Sequence, residues 1–472
     1  MAITINGGAS GSQVTINADN QTDNAYNLAN QLVKHLADIS NTTVVSDVVS
    51  NSDPATVADK INVGTIDQAG DYTVSSAYKY VVVGDRAELN ASTDPRTNLT
   101  GKGNAGDSVS IVAGHKAGTT YNAGQESGSF INTANTAIFD GSGDKAGNWN
   151  IQTGSADDMI VLTNGNNTVN AGLGNNNIYL GKGNNTVYSY GHDTISGGEG
   201  GYQSVTLLGG NSTVDIGTAS LVVDSSNNNT ISVGGESTVV GGQNSTVKFM
   251  GGQGNSFMGG INDTISAIQG DLTVVRGSEN NITADNNLTF LNGTGNNTVT
   301  AGNATIFGAS GLNMNLNATH SSPDGSLFAA GGGNETLNGS ASTGALHVFA
   351  SNEAGSQLTA TGGSGDDTLV GGAGDSKFTG GAGNNLFAFI KNDAQTHNVI
   401  TDFKASVGNK IGLYNYGLDS NSLQNALQSA VDQAGNTTLS FGATSITLEG
   451  VKASDLSVAN FDISNSNGSA SS

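Results

Sequence analysis

Aliphatic residues in the middle of this chain recur at a step that no helix uses. Ile151, Ile160, Val169, Ile178 and Val187 each follow the previous one by nine residues. The step then loosens to roughly seven to ten residues and continues through Ile195, Val214, Val222, Ile231, Val239, Val247, Phe257, Ile265, Val274, Ile282, Phe290, Val299 and Ile306. The phrase around each anchor is nearly constant. Asn166-Asn167-Thr168-Val169, Asn184-Asn185-Thr186-Val187, Asn228-Asn229-Thr230-Ile231, Asn244-Ser245-Thr246-Val247, Asn262-Asp263-Thr264-Ile265 and Asn296-Asn297-Thr298-Val299 all share it. A β-branched pair favours a short strand with its aliphatic member inward, and Gly or Asn favours the turn conformations between strands. Two such units make a coil of about 18 residues. Asparagines at equivalent turn positions are then expected to stack into hydrogen-bonded ladders.

The flanks differ from this centre. Near the start, Ile3 and Ile5 suggest a short strand, and Ala25, Leu28, Leu32, Leu36 and Ile39 recur at helical spacing. Residues 1–75 are read as an N-terminal capping module, because a coil stack left open exposes apolar side chains and unpaired strand edges. Residues 76–360 are read as an asparagine-rich solenoid, although the irregular turns of 70–148 also allow a separate sandwich. Near the end, Ser422, Leu423, Ala426, Leu427, Ala430 and Val431 suggest a short helix, followed by closing strands between Thr438 and Val451.

Composition agrees with stacked turns. The chain has 472 residues with 69 Gly and only 3 Pro, so the glycine is not collagen-like, and 35% hydrophobic residues at regular intervals argue against disorder. A formal charge of −23 disfavours nucleic acid and anionic membranes and favours divalent cations. No cysteine is present, which excludes disulfides and thiolate metal sites. No apolar stretch approaches the roughly 20 residues of a membrane span, so membrane insertion is not expected. The opening MAITINGGASGS lacks the basic and apolar regions of a cleaved Sec signal.

The most specific motif lies late. Gly362-Gly363-Ser364-Gly365-Asp366-Asp367-Thr368-Leu369-Val370 is followed by Gly371-Gly372-Ala373-Gly374-Asp375-Ser376-Lys377-Phe378-Thr379 and then Gly380-Gly381-Ala382-Gly383-Asn384-Asn385-Leu386-Phe387. This tandem resembles the RTX nonapeptide GGxGxDxUx, whose family forms a calcium-binding parallel β-roll. The resemblance implies calcium as the cofactor, held by turn carbonyls and by the aspartate at the sixth position. Carried onto this sequence, the candidate metal residues are Gly363, Gly365, Asp366, Asp367, Gly372, Gly374, Asp375 and Asn385. Only one of the three repeats has aspartate at the sixth position, so few and weak sites are expected. Asp367 should stack over Asn385, with Ser376 on the opposite side. The same frame runs degenerately through Asp158, Asn167, Asn176 and Asn185, which makes Asp157 and Asp158 a second candidate site; a solvated acidic turn is the plainer alternative. Asp193 and Asp263 also fall in the frame, but singly.

Val399-Ile400-Thr401-Asp402-Phe403 and Asn409-Lys410-Ile411-Gly412-Leu413 are similar to the stretch that follows RTX repeats. Residues 361–390 are therefore read as the RTX roll and 391–472 as its C-terminal cap with the type I export signal. The expected fold class is all-β, a right-handed parallel β-solenoid or β-roll with one helix in its N-terminal cap. The expected function is a secreted, calcium-binding structural protein of the cell surface, as a surface layer, matrix fibre or adhesin, that self-assembles and meets cell-surface polysaccharide.

The histidines are scattered, with no HExxH, no GxSxG elbow and no phosphate-cradling loop. A mixed cluster of Lys79, Arg86, Arg96, Lys102, His115 and Lys116 near Tyr78, Tyr80 and Tyr121 leaves a polysaccharide lyase or epimerase as the alternative. Rows of threonine leave an ice-binding or other surface-binding solenoid as a third reading.

Overall fold

A computed structural model describes residues 3–6, 13–39, 44–49, 61–86, 95–320 and 325–464. Among the described residues nearly all strand pairing is parallel, in a β-solenoid of about 18 turns with two α-helices. The chain divides into two compact units, Met1–Thr246 and Val247–Ser472.

In the first unit the alternation of inward and outward residues becomes two columns. Ile151 pairs in register with Val169, then Val187, Val205, Val222 and Val239. On the opposite side Phe139 is followed by Ile160, Ile178, Ile195, Val214 and Ile231. The nine-residue step thus alternates between two walls of one coil. Every one of these side chains is fully buried, and each aliphatic contributes on the order of 1.5–3 kcal/mol of hydrophobic stabilisation. A slip of one residue would turn an entire wall outward.

Coils also fill the stretch that the sequence left open. Thr97–Gly101, Thr119–Asn122 and Ala137–Asp140 pair in parallel, as do Tyr78–Val83, Ser108–Ala113, Ser127–Asn132 and Trp149–Gln152. Parallel pairing already joins Val44–Val48 to Ile61–Ile66. Trp149 is buried against Phe139 and Tyr121 inside the coil.

Helix α1 (Asn24–Ile39) forms where its spacing predicted, but its fully buried stripe is Ala25, Ala29, Val33 and Leu36, with Leu28 and Leu32 only partly covered. It packs on Val63, Val82, Val112 and Ile131 together with Val14 and Ile16. Val82, Val112 and Ile131 are register partners on successive coils. The helix therefore lies along the outer flank of the early coils. The strands Ile3–Asn6 and Gln13–Ile16 form an antiparallel hairpin beside it.

In the second unit one wall runs through Val274, Phe290, Ile306, Phe328, Val348, Leu369, Phe387, Ile411 and Phe461. Helix α2 (Ser420–Gln428) is opened by a capping box at Asp419 and Ser422, and Leu423 and Leu427 are buried. It ends before Val431, which begins a short strand and is 59% exposed, so the helical spacing there was coincidental. Asn436–Phe441 and Thr444–Leu448 form a closing hairpin that pairs with the coil strand Thr396–Ile400. Among the described residues no helix is long and apolar enough to cross a membrane.

Candidate calcium site

The turns are held by two ladders of opposite sense. On the inner ladder, each sixth-position side-chain oxygen accepts the backbone N–H of the coil before it. Asn167 Oδ1 accepts from Trp149 N at 3.0 Å, and Asn185 Oδ1 from Asn167 N at 3.2 Å. Across the coil, Asp158 N donates to Asn176 Oδ1 (2.8 Å) and Asn176 N to Asp193 Oδ1 (2.9 Å). Serine continues it, as Asp193 N donates to Ser212 Oγ and Asn229 N to Ser245 Oγ. On the exposed outer ladder, the fifth-position residue accepts from the next coil: Asp157 Oδ1 from Asn175 N and Asp366 Oδ1 from Asn384 N, both at 2.7 Å.

What distinguishes the inner positions is the second side-chain atom. Asn167 Nδ2 donates to Gly165 O (2.9 Å) and Thr163 O (3.1 Å), and Asn185 Nδ2 to Gly183 O (2.9 Å) and Gly181 O (3.2 Å). Asn176 Nδ2 does the same for Ala171 O and Leu173 O. The asparagine amide thus gathers the turn carbonyls of its own loop. A carboxylate cannot, because it has no hydrogen to give. Asp158 and Asp193 are 2% and 1% exposed, and the Oδ2 of each lacks a well-formed hydrogen bond among the described residues, with the Thr153 hydroxyl beside Asp158 and the Ser189 hydroxyl and Gly191 N–H beside Asp193. In register with Asn176, the carbonyls facing Asp158 would be those of Thr153 and Ser155. Burial pushes the Asp158 carboxyl up to about 7, and also raises Asp193.

Asp367 occupies the same inner position in the late repeats. Its Oδ1 accepts from Leu346 N (2.8 Å) and its Oδ2 from Gly363 N (2.7 Å). Its own N–H donates to Asn385 Oδ1, which places it over Asn385 as the repeat frame predicts, while Ser376 sits on the other strand against Leu358. Burial raises the Asp367 carboxyl to about 6. A methyl on Gly362 would stand 2.2 Å from Asp367 Oδ2 and 2.5 Å from Gly380 O, so carboxylate and carbonyl oxygens converge there.

The repeat glycines serve close approach. A Cβ on Gly363 would meet Ser342 O at 2.2 Å, and one on Gly374 would meet Ser356 O at 2.0 Å. Gly365 and Gly372 face the preceding coil in the same way. Asp375 lies outside the inner ladder; its Oδ1 accepts from His397 N at 2.7 Å. Left-handed backbone falls on repeat glycines such as Gly381 (φ 81°) and Gly383 (φ 86°) and also on asparagines such as Asn228 (φ 57°) and Asn262 (φ 59°), the first residue of the recurring phrase.

Two contributors were not read from the sequence. Asp402 caps the last repeat turn, accepting from Gly380 N and Gly381 N at 2.8 Å each, and Phe403 packs on Phe387. Glu335 is 4% exposed, and its carboxylate faces the Gly331 N–H of its own turn. Burial raises it to about 7. The signal was present: Gly331-Gly332-Gly333-Asn334-Glu335-Thr336-Leu337 follows the nonapeptide frame with glutamate at the sixth position.

Hard oxygen ligands suit calcium, which takes six to eight of them at about 2.3–2.6 Å. Among the described residues no three His, Cys, Asp or Glu side chains gather as a metal cluster, so backbone carbonyls must supply most of any coordination shell. The Oδ2 of Asp158 and the convergence at Asp367 fit such a cation, with a low charge count at each.

The early basic residues do not form a shared groove. Arg86 pairs with Asp67 at 2.7 Å, Arg96 donates to Thr136 O, and His115 is buried 3.1 Å from Asp85. Tyr78 and Tyr121 are buried in the core, Tyr80 is half-buried, and Lys79, Lys102 and Lys116 are exposed. On one wall Thr168 and Thr186 are followed in register by Ser204 and Leu221, whereas on the other Thr194, Thr213 and Thr230 stand in register.

The fold and turns define a parallel β-solenoid with a repeating, cation-compatible carboxylate and carbonyl turn. The chain carries four RTX calcium-binding nonapeptide repeats, matched at residues 152–187 and 361–388, and such repeats bind calcium. No curated protein matches the chain.

Proposed function

We propose that this chain is a secreted, calcium-binding structural protein of the cell surface, exported by a type I route through its C-terminal region. The observation that carries this reading is that the RTX repeats and the asparagine-laddered coils share one frame, so the calcium turns are part of the coils themselves. Calcium would then govern how firmly neighbouring coils are held together. Export before folding suits such a design, because a calcium-poor cell interior would leave the carboxylate turns unmet. The early basic residues are engaged in pairing with other coils or stand apart on the surface, which weighs against a polysaccharide-cleaving groove. The uneven coil lengths between successive threonines weigh against an ice lattice. Exposed Tyr179, Tyr188, Tyr190 and Tyr202 offer flat apolar faces on which surface sugars could stack.

Calcium titration after chelation tests the proposal, with circular dichroism and particle size followed together. β-Signal and particle size rising together with calcium is the expected outcome. A chain that stays folded and monomeric throughout would sink the structural-assembly reading.

A further inference from the structure

Outside the repeats, Asp67, Asp85 and Glu126 are buried carboxylates of the early coils; Asp67 faces Arg86 and Asp85 faces His115. Glu126 is 2% exposed. Its Oε1 accepts from the Tyr121 hydroxyl and from Gly124 N (2.8 Å), whereas its Oε2 has no partner. Ion pairs among the described residues leave Glu126 without a Lys, Arg or His. An ionised carboxylate in such a place is costly unless something positive meets it.

The surroundings are oxygen-rich. A methyl on Gly124 would lie 2.3 Å from Glu126 Oε2, 2.9 Å from Gly103 O and 3.0 Å from Gly101 O, so three oxygens from neighbouring coils face one small space. Glu126 and Gly103 also line a cleft with room for about one water-sized sphere. Asp107, Ser75, Ser76 and Ser108 border the same cleft. Asp107 Oδ2 accepts from Asn104 N, which fixes that loop.

We infer that Glu126, with the Gly101 and Gly103 carbonyls and Asp107, forms a binding site for a single divalent cation of the calcium type. Two carboxylates balance the charge of one such ion, and carbonyls and water complete an oxygen shell. The site does not depend on the repeat frame, because Gly128 stands where a nonapeptide would place its apolar residue. Calcium would here tie Gly101–Gly103 to Gly124–Glu126, two segments of successive coils.

The molecule contains its own reporter. Trp149 is the only tryptophan, and its ring centroid is 5.3 Å from that of Tyr121, which bonds Glu126 directly. Terbium, a calcium-like ion, would be sensitised by Trp149 at this site. The full chain would be stripped with chelator and titrated with terbium under selective tryptophan excitation. D158N removes the nearby repeat carboxylate from the signal. Tryptophan-sensitised emission that persists in D158N, is displaced by calcium, and weakens about tenfold or more in affinity in D158N/E126Q supports the site. Loss of emission in D158N alone overturns it, and so does unchanged binding in D158N/E126Q, which would leave Glu126 with a water or a proton. If circular dichroism shows that E126Q does not fold, D158N/D107N replaces it, and unchanged terbium affinity there overturns the site.

Discussion

Asparagine and carboxylate turns occupy the same place in the coil and solve its central problem differently. At Asn185 one side chain accepts from the preceding coil and donates to the carbonyls of its own turn, so every polar group is met within the protein. At Asp158 the first half of that bargain is kept, through Ala137 N at 2.6 Å, and the second is not. The amide nitrogen of asparagine stands where a cation would stand beside an aspartate. Coils rich in asparagine are thus self-sufficient, whereas an inner carboxylate such as Asp158 cannot gather the carbonyls of its own turn without calcium or a proton.

The largest effect should come from turning a self-sufficient coil into a dependent one. Asn185→Asp places a carboxylate against Gly181 O, Gly183 O and Gln203 Oε1, and should cost about 3–5 kcal/mol in chelator. Urea unfolding measures the loss, and calcium should restore part of it. An equal loss with and without calcium would mean that the turn cannot admit an ion.

The reverse change should sharpen the contrast. In the calcium-free chain Asp158 holds its proton more tightly when folded, with a carboxyl raised from 3.8 to about 7. Its contribution is therefore fully present below about pH 4 and is lost as pH rises through about 7, amounting to roughly 4 kcal/mol at most. Chelated wild-type protein should lose urea resistance between mildly acidic and neutral pH, and Asp158→Asn should flatten that slope. A slope unchanged in the variant would assign the pH dependence to Glu335 or Asp367 instead.

A smaller effect is expected at the edge of the repeats. Asp402→Ala frees Gly380 N and Gly381 N, which water can partly serve, and should cost about 1 kcal/mol. If calcium affinity also falls, the cap holds the last repeat turn in its binding shape. If stability alone changes, Asp402 is a turn cap and nothing more.

Much of this was legible because it is local. The nine-residue step announced both apolar walls, and the recurring Asn-Asn-Thr-Val phrase announced the ladders. The pairing of Asp367 with Asn385 followed from repeats two apart sharing a side. Glu335 escaped because glutamate replaced the expected aspartate. The flank position of α1 escaped because helical spacing shows that a stripe is apolar but not which surface receives it.

By itself the sequence determined the class of fold, the strand walls and the residue types at the turns, since alternation, β-branching and glycine spacing act within a few residues. Only the tertiary structure decided which polar atoms are met. A turn amide at Asn167 finds its acceptor on Asn185, 18 residues further on, and the Oδ2 of Asp158 and the Oε2 of Glu126, without a well-formed hydrogen bond, are left over from such encounters between coils. Those leftovers depend on distances of a few tenths of an ångström between stacked backbones, which no spacing along the chain encodes.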